Sequence, residues 1–400
     1  MKLRDAPHEL HLTYCTNIHA GESWSEVKES LRQSLVPIRQ SATTAPFGVG
    51  LRLSAAAAAE LEENGELAWL REFFSDHRLY LVTINGFPYG AFHGQRVKEN
   101  VYLPDWSDDR RLAYADRLAR IAAAMFDASM IEEISISTVP CGLRRSGSAE
   151  WLERVLLRIV SHAAYLVELE RRHGSRLTLA LEPEPGCWLE STDDVTAFFD
   201  LLFSRRWVQH LAGLTGTTAA CSEEFLRRAI GICLDTCHAA VGWEDPDALL
   251  DALAARGIRV AKAQISAGLE FGSDGSRERE ALSPFANDVY LHQVTVVGPE
   301  GVRRRYLDLP EALDRATDEF SPAEIWRIHF HVPLFLEELG GLRTTQAVTR
   351  RFLRALLVRN ATSHLEVETY AWNVLPEALR GDVVTNVSRE LAWTLNEIQS

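Results

Sequence analysis

The sequence is short of cysteine, of apolar runs and of basic charge, and each shortage argues against a class of protein. Its six cysteines are scattered over 400 residues without a pair of CxxC motifs, which argues against a structural zinc finger and favours reduced thiols. No apolar run approaches about 18 residues, so no transmembrane helix is expected. The opening MKLRDAPHEL has neither the apolar stretch nor the cleavage site of a signal peptide. We therefore expect a cytoplasmic protein.

The chain is acidic, with 42 lysines and arginines against 56 aspartates and glutamates and a formal net charge of −14. Its basic clusters, such as Arg303–Arg305, are short. Because phosphate contacts dominate the affinity of nucleic-acid-binding proteins, such proteins normally present a basic face. The charge balance therefore disfavours nucleic acid as a partner and favours a small-molecule substrate.

Strand-like and helix-like segments alternate along most of the chain. The predicted strands are 11–19, 47–54, 78–86, 132–140, 176–186, 230–238, 258–266 and 364–372. Such alternation predicts a parallel sheet covered by helices. Eight strand–helix units predict an α/β fold with a single (β/α)8 TIM barrel, and we treat residues 1–400 as one domain. No GxGxxG or P-loop motif precedes a predicted helix, which argues against a nucleotide-binding α/β fold.

Residues 267–343 interrupt this alternation. They contain three further strand-like segments, at 289–297, 302–309 and 324–335, and the turn sequence GPEG separates the first two. We predict a small antiparallel β insertion after the seventh barrel strand. Because an insertion there follows the carboxyl end of a strand, it should lie over the barrel mouth, on the face that carries active sites.

Two short strings place acidic residues where predicted strands end. In LEPEPG (181–186) the acidic residue is Glu182, and in CLDTCHAAVGW (233–243) it is Asp235, with His238 three residues later. Glu368 ends the last predicted strand. Parallel barrel strands all end at one mouth, so these side chains should converge. Carboxylates and imidazoles together are typical ligands of a divalent metal ion.

Two more candidates complete the predicted ligand set. Gln264 ends the seventh predicted strand, and His331 lies on the inserted segment two residues after His329. The predicted metal ligands are Glu182, Asp235, His238, Gln264, His331 and Glu368. Oxygen and nitrogen donors of this kind suit one or two ions of Mn²⁺, Zn²⁺, Mg²⁺ or Fe²⁺.

The leading functional hypothesis is a metal-dependent isomerase or epimerase acting on a small polyhydroxylated or carbonyl metabolite. Glu182 and Glu368 would stand on opposite sides of the substrate, one removing a proton next to a carbonyl and the other returning it. His238 would be a ligand or a proton carrier. Lys262 would stabilise the oxyanion if it reaches the pocket.

Each candidate also has a structural explanation. Glu182 could cap the next helix or pair with an arginine, and Gln264 could be a hydrogen-bonded core amide. Lys262 could form a salt bridge with Glu366 deep in the barrel. The roles of four other histidines stay open, namely His19, His93, His292 and His329.

At these residues the chain resembles the xylose-isomerase-like barrel superfamily, which includes sugar isomerases, sugar epimerases and endonuclease IV. The string GICLDTCHAAVGW is similar to the endonuclease IV motif whose aspartate and histidine bind metal, which implies metal binding by Asp235 and His238. LALEPEP is similar to the superfamily's metal-bridging glutamate strand and LEVETYAW to its closing glutamate strand. These matches imply metal binding by Glu182 and Glu368.

The chain also departs from endonuclease IV. Gln264 stands where that enzyme has a histidine, and His329 with His331 replaces an aspartate–histidine pair. One or two ions are therefore expected rather than a trinuclear zinc cluster.

Three strings resemble one branch of the superfamily, the E components of the Ebo metabolite-traffic gene clusters: LTYCTNIHAGESW, VYLPDWSDDRRLAYADRLA and RIHFHVPLF. The resemblance spans nearly the whole chain. It implies a role in moving or maturing a secondary-metabolite precursor, with partners from the same gene cluster. Two alternatives stay open: a metal-dependent phosphoesterase related to endonuclease IV, and a non-catalytic barrel that binds and hands over a metabolite.

Overall fold

Two β-sheets organise the molecule in the computed structural model. The structure describes residues 1–91, 98–144, 147–272, 282, 285, 290–315, 324–369, 372, 375 and 381–400. One sheet has nine strands and the other has six. None of the helices in these ranges is both long and apolar enough to cross a membrane.

The described strands are numbered in chain order. They are β1 (Lys2–Arg4), β2 (Leu10–Tyr14), β3 (Phe47–Arg52), β4 (Leu79–Asn85), β5 (Ile134–Thr138), β6 (Leu177–Leu181), β7 (Ile230–Asp235), β8 (Val260–Ile265), β9 (Ala267–Gly272), β10 (Val294–Val297), β11 (Arg303–Tyr306), β12 (Ile325–Val332), β13 (Glu338–Leu339), β14 (Leu342–Thr344) and β15 (His364–Val367).

The larger sheet is a nearly closed barrel. Its strand order is β1-β2-β15-β8-β7-β6-β5-β4-β3, and every neighbouring pair is parallel except β1 with β2. A parallel bridge between Cys15 and Gly50 connects the end of β2 to β3, the last strand of the series. This arrangement confirms the predicted α/β fold with a TIM barrel.

The smaller sheet is antiparallel, with the order β11-β10-β12-β9-β14-β13. It begins at β9, one residue after the seventh barrel strand β8, which confirms the predicted insertion. The three predicted segments correspond to β10, β11 and β12. β9, β13 and β14 were not predicted, because they are short or follow β8 almost without a break.

Helices cover the outside of the barrel and connect its strands. They are α1 (Trp24–Ser30), α2 (Val36–Ala42), α3 (Ala55–Glu63), α4 (Leu67–Asp76), α5 (Asp109–Met125), α6 (Ala149–His173), α7 (Thr192–Leu202), α8 (Arg205–Thr215), α9 (Ala219–Ala229), α10 (Thr236–Val241), α11 (Pro246–Ala255), α12 (Leu309–Arg315), α13 (Gln346–Arg359) and α14 (Val383–Gln399). Buried faces of these helices join the barrel strands in one hydrophobic core.

Local sequence signals explain where several helices begin and end. Ser23 and Glu26 form a reciprocal capping box at the start of α1, and Ser148 caps α6. Gly174 ends α6 with φ of 68°, the left-handed conformation that glycine adopts without strain. α3 and α4 are separate helices because the chain turns between them at Gly65, with φ of 69°.

Polar side chains fill the barrel interior in layers. On β15, His364 lies lowest and contacts Ser135, Glu366 lies above it and pairs with Lys262, and Glu368 follows at the mouth. This order is the two-residue alternation of a strand whose polar face points inward. A methyl group at Gly50 would collide with the Glu366 carboxylate, so glycine at this position leaves the space that the buried acid occupies.

Candidate metal centre

Three buried carboxylates converge at the barrel mouth. Glu182 follows β6, Asp235 is the last residue of β7, and Glu368 follows β15. They are 3%, 1% and 5% exposed. One oxygen from each lies within 4.8 Å of the others. The structure thus brings together three of the residues that the sequence analysis selected, although their roles stay predictions.

These carboxylates are better arranged to bind a cation than to interact with one another. Glu182 Oε2 and Asp235 Oδ2 are buried and have no hydrogen-bond partner among the described residues. An unpartnered buried carboxylate oxygen is costly, and three like charges at this distance also repel. A divalent ion between them would satisfy the free oxygens and balance the charge, so the donor set fits a metal.

Neighbouring side chains fix the orientation of two of the acids. Asp235 Oδ1 accepts hydrogen bonds from Ser266 Oγ at 2.7 Å and from the backbone N–H of His238 at 2.9 Å. Glu368 Oε1 accepts from the amide nitrogens of Asn17 and Asn85. Such secondary contacts hold ligating oxygens in place before an ion arrives.

The pKa values of the three acids move apart. Burial raises the pKa of Glu182 to about 8, although His238 partly opposes this. Burial, with the charges of Glu182 and Asp235, raises the pKa of Glu368 well above its ordinary value. Burial would also raise the pKa of Asp235, but the positive charges of His238 and His331 lower it below the usual range. One carboxylate therefore stays ionised while two are poised to hold protons.

Two histidines present the ring nitrogen that a metal would need. His331 Nδ1 lies 2.8 Å from the backbone oxygen of Glu368, and His238 Nδ1 lies 3.0 Å from that of Pro183. Because a carbonyl oxygen only accepts, each Nδ1 carries the proton, and in the neutral ring Nε2 has the lone pair. His331 Nε2 is 4.0 Å from Asp235 Oδ2, and His238 belongs to the same group of possible ligands.

A small cavity of about 60 Å³ opens above these groups. Its polar floor includes Glu182, Glu368, His238 and His331. The rest of its lining is mostly apolar or aromatic and comprises Phe87, Pro88, Val101, Tyr102, Tyr290 and Leu291, with Asn17, Lys98, Glu184 and His329. An apolar lining with a few convergent polar groups is the composition typical of a site for a small organic molecule.

Two predicted site residues lie below this cavity rather than along it. Lys262 is fully buried, pairs with Glu366 and also contacts Ser137 Oγ at 3.3 Å. Gln264 is fully buried, and its Oε1 accepts from Cys233 Sγ at 2.9 Å. Neither is among the described residues that line the cavity. These positions agree with the structural alternatives given for the two residues, a deep salt bridge for Lys262 and a hydrogen-bonded core amide for Gln264.

The remaining histidines differ in whether they line the cavity. His19 bonds Tyr14 through Nε2 at 2.9 Å, and His292 packs against Phe330. Neither is among the described cavity-lining residues, whereas His329 lines the cavity. His93 lies outside the described residues.

Sequence reasoning missed several polar residues of the site. Glu184 lies two residues after Glu182 in the same LEPEPG string, and this spacing in an extended segment was the available signal. Its Oε1 accepts hydrogen bonds from Tyr102 Oη at 2.6 Å and from Gln293 Nε2 at 2.8 Å. Asn17 comes from the turn after β2, and only the general rule for strand exits could have indicated it.

Comparison with known proteins finds solved structures with a similar fold. No protein-family model and no curated protein matches the chain. A xylose isomerase-like TIM barrel protein from Mycobacterium smegmatis, solved in complex with magnesium, does match: it is 10% identical with a TM-score of 0.52, over 99% of this chain and 98% of that one. This chain shares the TIM-barrel fold of that protein.

Two further solved structures match with lower TM-scores. A D-tagatose 3-epimerase-like protein is 10% identical with a TM-score of 0.49, over 98% of each chain. The IolI protein, solved with a zinc atom, is 9% identical with a TM-score of 0.47, over 97% of this chain and 98% of that one. Identities this low establish the fold alone, so the activity must be argued from the residues of this chain.

Proposed function

We propose that this chain is a divalent-metal-dependent isomerase or epimerase that acts on a small polyhydroxylated or carbonyl metabolite. The observation that supports the proposal most directly is the convergence of Glu182, Asp235 and Glu368 beneath a cavity at the barrel mouth. Two of these acids keep a buried oxygen that no described residue satisfies. The fold is one in which active sites lie at this end of the barrel.

Glu182, Asp235 and Glu368 would hold the ion, and His331 lies beside Asp235 as a further donor. A divalent ion bound there would act as a Lewis acid that polarises a substrate carbonyl. A donor set rich in carboxylates favours Mn²⁺ or Mg²⁺, and the imidazole keeps Fe²⁺ and Zn²⁺ compatible.

Glu182 and Glu368 are the groups suited to moving a proton. Because burial raises the pKa of Glu182 to about 8, this side chain can both hold and release a proton near neutral pH. Glu368 is held by the two asparagine amides, so its position is fixed while its proton moves. Asp235, whose pKa is lowered by His238 and His331 against the effect of burial, stays ionised as an anchor.

The cavity favours an uncharged substrate. Lys98 is the one lysine or arginine among the described lining residues, and its ammonium group bonds Asp308 Oδ2 at 2.6 Å and the Tyr290 carbonyl oxygen at 2.7 Å. A phosphate group would therefore meet several carboxylates and one already neutralised cation. This arrangement weighs against the phosphoesterase alternative.

The biological setting rests on the sequence resemblance to the E components of the Ebo clusters. It supports a substrate that is a precursor of a secondary metabolite, handled with proteins of the same cluster. The apolar upper part of the cavity is compatible with a metabolite that has an apolar face.

The test measures metal binding and proton exchange with solvent on the same protein. Metal-free protein is titrated with Mn²⁺ and assayed in D₂O on a panel of unphosphorylated ketoses, with solvent deuterium incorporation measured by mass spectrometry. We expect exchange in the wild type, and an Asp235→Asn variant should bind the ion about 100-fold more weakly or worse and lose exchange. Undiminished Mn²⁺ affinity in that variant would falsify the metal assignment.

Glu390→Gln is the matched control. Glu390 is fully buried like the site acids, but its Oε1 accepts from the Leu334 N–H and from Thr369 Oγ1, and it is not a cavity-lining residue. This variant should bind Mn²⁺ as the wild type does. Tight metabolite binding without any deuterium exchange would instead favour the non-catalytic alternative.

A further inference from the structure

The volume of the cavity above the three carboxylates limits what it can hold. At about 60 Å³ it has room for about five water molecules, since one water molecule needs roughly 10–15 Å³ on the same measure. Ligand-binding cavities of proteins commonly measure about 300–1,000 Å³. A molecule that fits without displacing the walls is therefore about the size of a three-carbon or four-carbon polyol, and a six-carbon sugar is too large.

The apolar lining of the cavity comes from two parts of the chain. Tyr290 and Leu291 belong to the inserted region, and we call these two residues the inserted wall. Each of them is 8% exposed. The barrel side contributes the segments around Phe87 and Tyr102. The size limit therefore depends on how firmly the inserted wall is held against the barrel.

Hydrogen bonds on both sides of Leu291 fix the inserted wall. The Lys98 ammonium group donates to the Tyr290 carbonyl oxygen at 2.7 Å, and the His292 N–H donates to Asp308 Oδ1 at 3.1 Å. Lys98 and Asp308 are themselves paired, with Nζ and Oδ2 2.6 Å apart. One ion pair therefore holds the backbone both before and after Leu291, through hydrogen bonds that are strengthened by charge.

The inserted wall is also connected to the barrel side of the cavity. Tyr102 Oη donates to Glu184 Oε1 at 2.6 Å and accepts from Gln293 Nε2 at 2.7 Å. The same Gln293 nitrogen donates to Glu184 Oε1 at 2.8 Å. All three side chains are buried, and Gln293 lies only two residues after Leu291. The two walls cannot separate without breaking hydrogen bonds between buried groups, which is costly.

We propose that Leu291, held by the Lys98–Asp308 pair, is a specificity-determining residue that limits the substrate to a hydroxy carbonyl compound of about three or four carbons. The inference rests on the proposed function for the class of reaction and adds the size of the substrate. A longer chain would have to occupy the space of the Leu291 side chain or displace the backbone that the ion pair holds.

Acyclic polyols test the size limit without requiring turnover. Glycerol, erythritol, xylitol and sorbitol increase in chain length and, unlike ketoses, do not cyclise. Their binding to the full-length protein is measured by ligand-observed nuclear magnetic resonance, with and without Mn²⁺. We expect the wild type to bind glycerol and erythritol at least about tenfold more tightly than xylitol and sorbitol.

Leu291→Ala is the key variant, because it shortens the inserted wall and leaves the backbone hydrogen bonds around it in place. It should strengthen the binding of xylitol and sorbitol about tenfold and leave the binding of glycerol unchanged. Lys98→Met should shift the affinities in the same direction and speed hydrogen exchange of the His292 amide. Leu342→Ala is the matched control, since Leu342 is buried on β14 of the inserted sheet and is not among the described cavity-lining residues.

Equal affinity of the wild type for glycerol and sorbitol, or no binding of glycerol and erythritol, would overturn the size limit. An unchanged order of affinities in a folded Leu291→Ala variant would overturn the role of Leu291. Failure to bind Mn²⁺ would contradict the proposed function instead, because the polyol affinities of the metal-free protein still test the inserted wall. In the deuterium-exchange assay, dihydroxyacetone and erythrulose should react, and equally fast exchange on D-fructose would count against the size limit.

Discussion

Two layers of the barrel interior contain buried charge, and they balance it differently. In the lower layer Lys262 and Glu366 are both fully buried and pair directly, so positive and negative charge cancel within the protein. In the upper layer Glu182, Asp235 and Glu368 have the same sign and lie within reach of one another. The lower layer is balanced in charge, whereas in the upper layer the proposed ion would supply the missing positive charge.

The pKa shifts of the buried groups also differ between the two layers. In the upper layer, burial raises the pKa of Glu182 and Glu368, so the carboxylates resist ionisation. In the lower layer, burial alone would lower the pKa of Lys262, but the charge of Glu366 outweighs it and raises that pKa. A buried charge that has its partner is stabilised as an ion, and one that lacks its partner takes up a proton. A buried acid whose pKa is raised because it lacks a counter-ion is therefore a sign of a binding site.

The largest predicted effect comes from breaking the lower layer. Lys262→Met would leave the Glu366 carboxylate buried without its counter-ion. We expect the free energy of unfolding to fall by about 3–5 kcal/mol, measured by urea denaturation of the metal-free protein. Adding Glu366→Gln to the same chain should recover much of the loss. A cost below about 1 kcal/mol would mean that the pair is not the structural unit described here.

The same variant tests the oxyanion role predicted for Lys262. A lysine that only balances Glu366 should leave the number of bound ions per folded molecule unchanged. A lysine that reaches the substrate should matter for deuterium exchange even where the fold survives. Assaying the double variant of Lys262 and Glu366 separates these, because its fold should be close to that of the wild type.

The second prediction concerns the upper layer and its pH dependence. The pKa of Glu182 is raised by burial to about 8 in the folded protein, against about 4.3 for an unfolded glutamate. A raised pKa means that the folded state binds the proton more tightly, so this contribution to stability is present at low pH and is lost as pH rises towards 8. Metal-free wild type should therefore lose stability relative to Glu182→Gln across this window, by up to about 1.4 kcal/mol per pH unit.

The measurement is thermal and urea unfolding at pH 5, 6.5 and 8 in the presence of a chelator. Saturating Mn²⁺ should reverse the ranking at pH 8, because the wild type gains the ion and the glutamine variant loses a ligand. Parallel stability curves for the two proteins in chelator would show that Glu182 does not resist ionisation, which would remove the distinction between the layers.

The sequence could predict the upper layer because its chemistry lies at strand ends. Asp235 and Glu182 each follow an apolar run at the point where parallel strands reach a common mouth, and the structure brings them together with Glu368. The alternation of strand and helix was also sufficient for the barrel. Both inferences use patterns local to a few residues, and local patterns survive folding when the elements are long and regular.

Depth and loop geometry could not be predicted in the same way. Alternation shows which face of β8 points inward, but Lys262 lies two residues before Gln264, which places it about 7 Å deeper at roughly 3.3 Å per residue. Its pairing with Glu366, more than a hundred residues away in sequence, was therefore only one of two explanations that the sequence offered for Lys262. Glu184 and Gln293 meet only because the inserted sheet folds over the loop after β6, and no periodicity encodes that contact.

The smallest predicted effects come from two buried serines, one in each layer. Ser266 Oγ donates to Asp235 Oδ1 at 2.7 Å, whereas Ser137 Oγ accepts a long 3.3 Å hydrogen bond from Lys262. Ser266→Ala should weaken Mn²⁺ binding about tenfold, measured by calorimetric titration, because it frees a ligand that the hydroxyl orients. Ser137→Ala should leave Mn²⁺ affinity unchanged and cost about 1 kcal/mol of unfolding free energy. Equal effects of the two substitutions on Mn²⁺ affinity would show that the layers act as one network, because only the upper serine touches a proposed ligand.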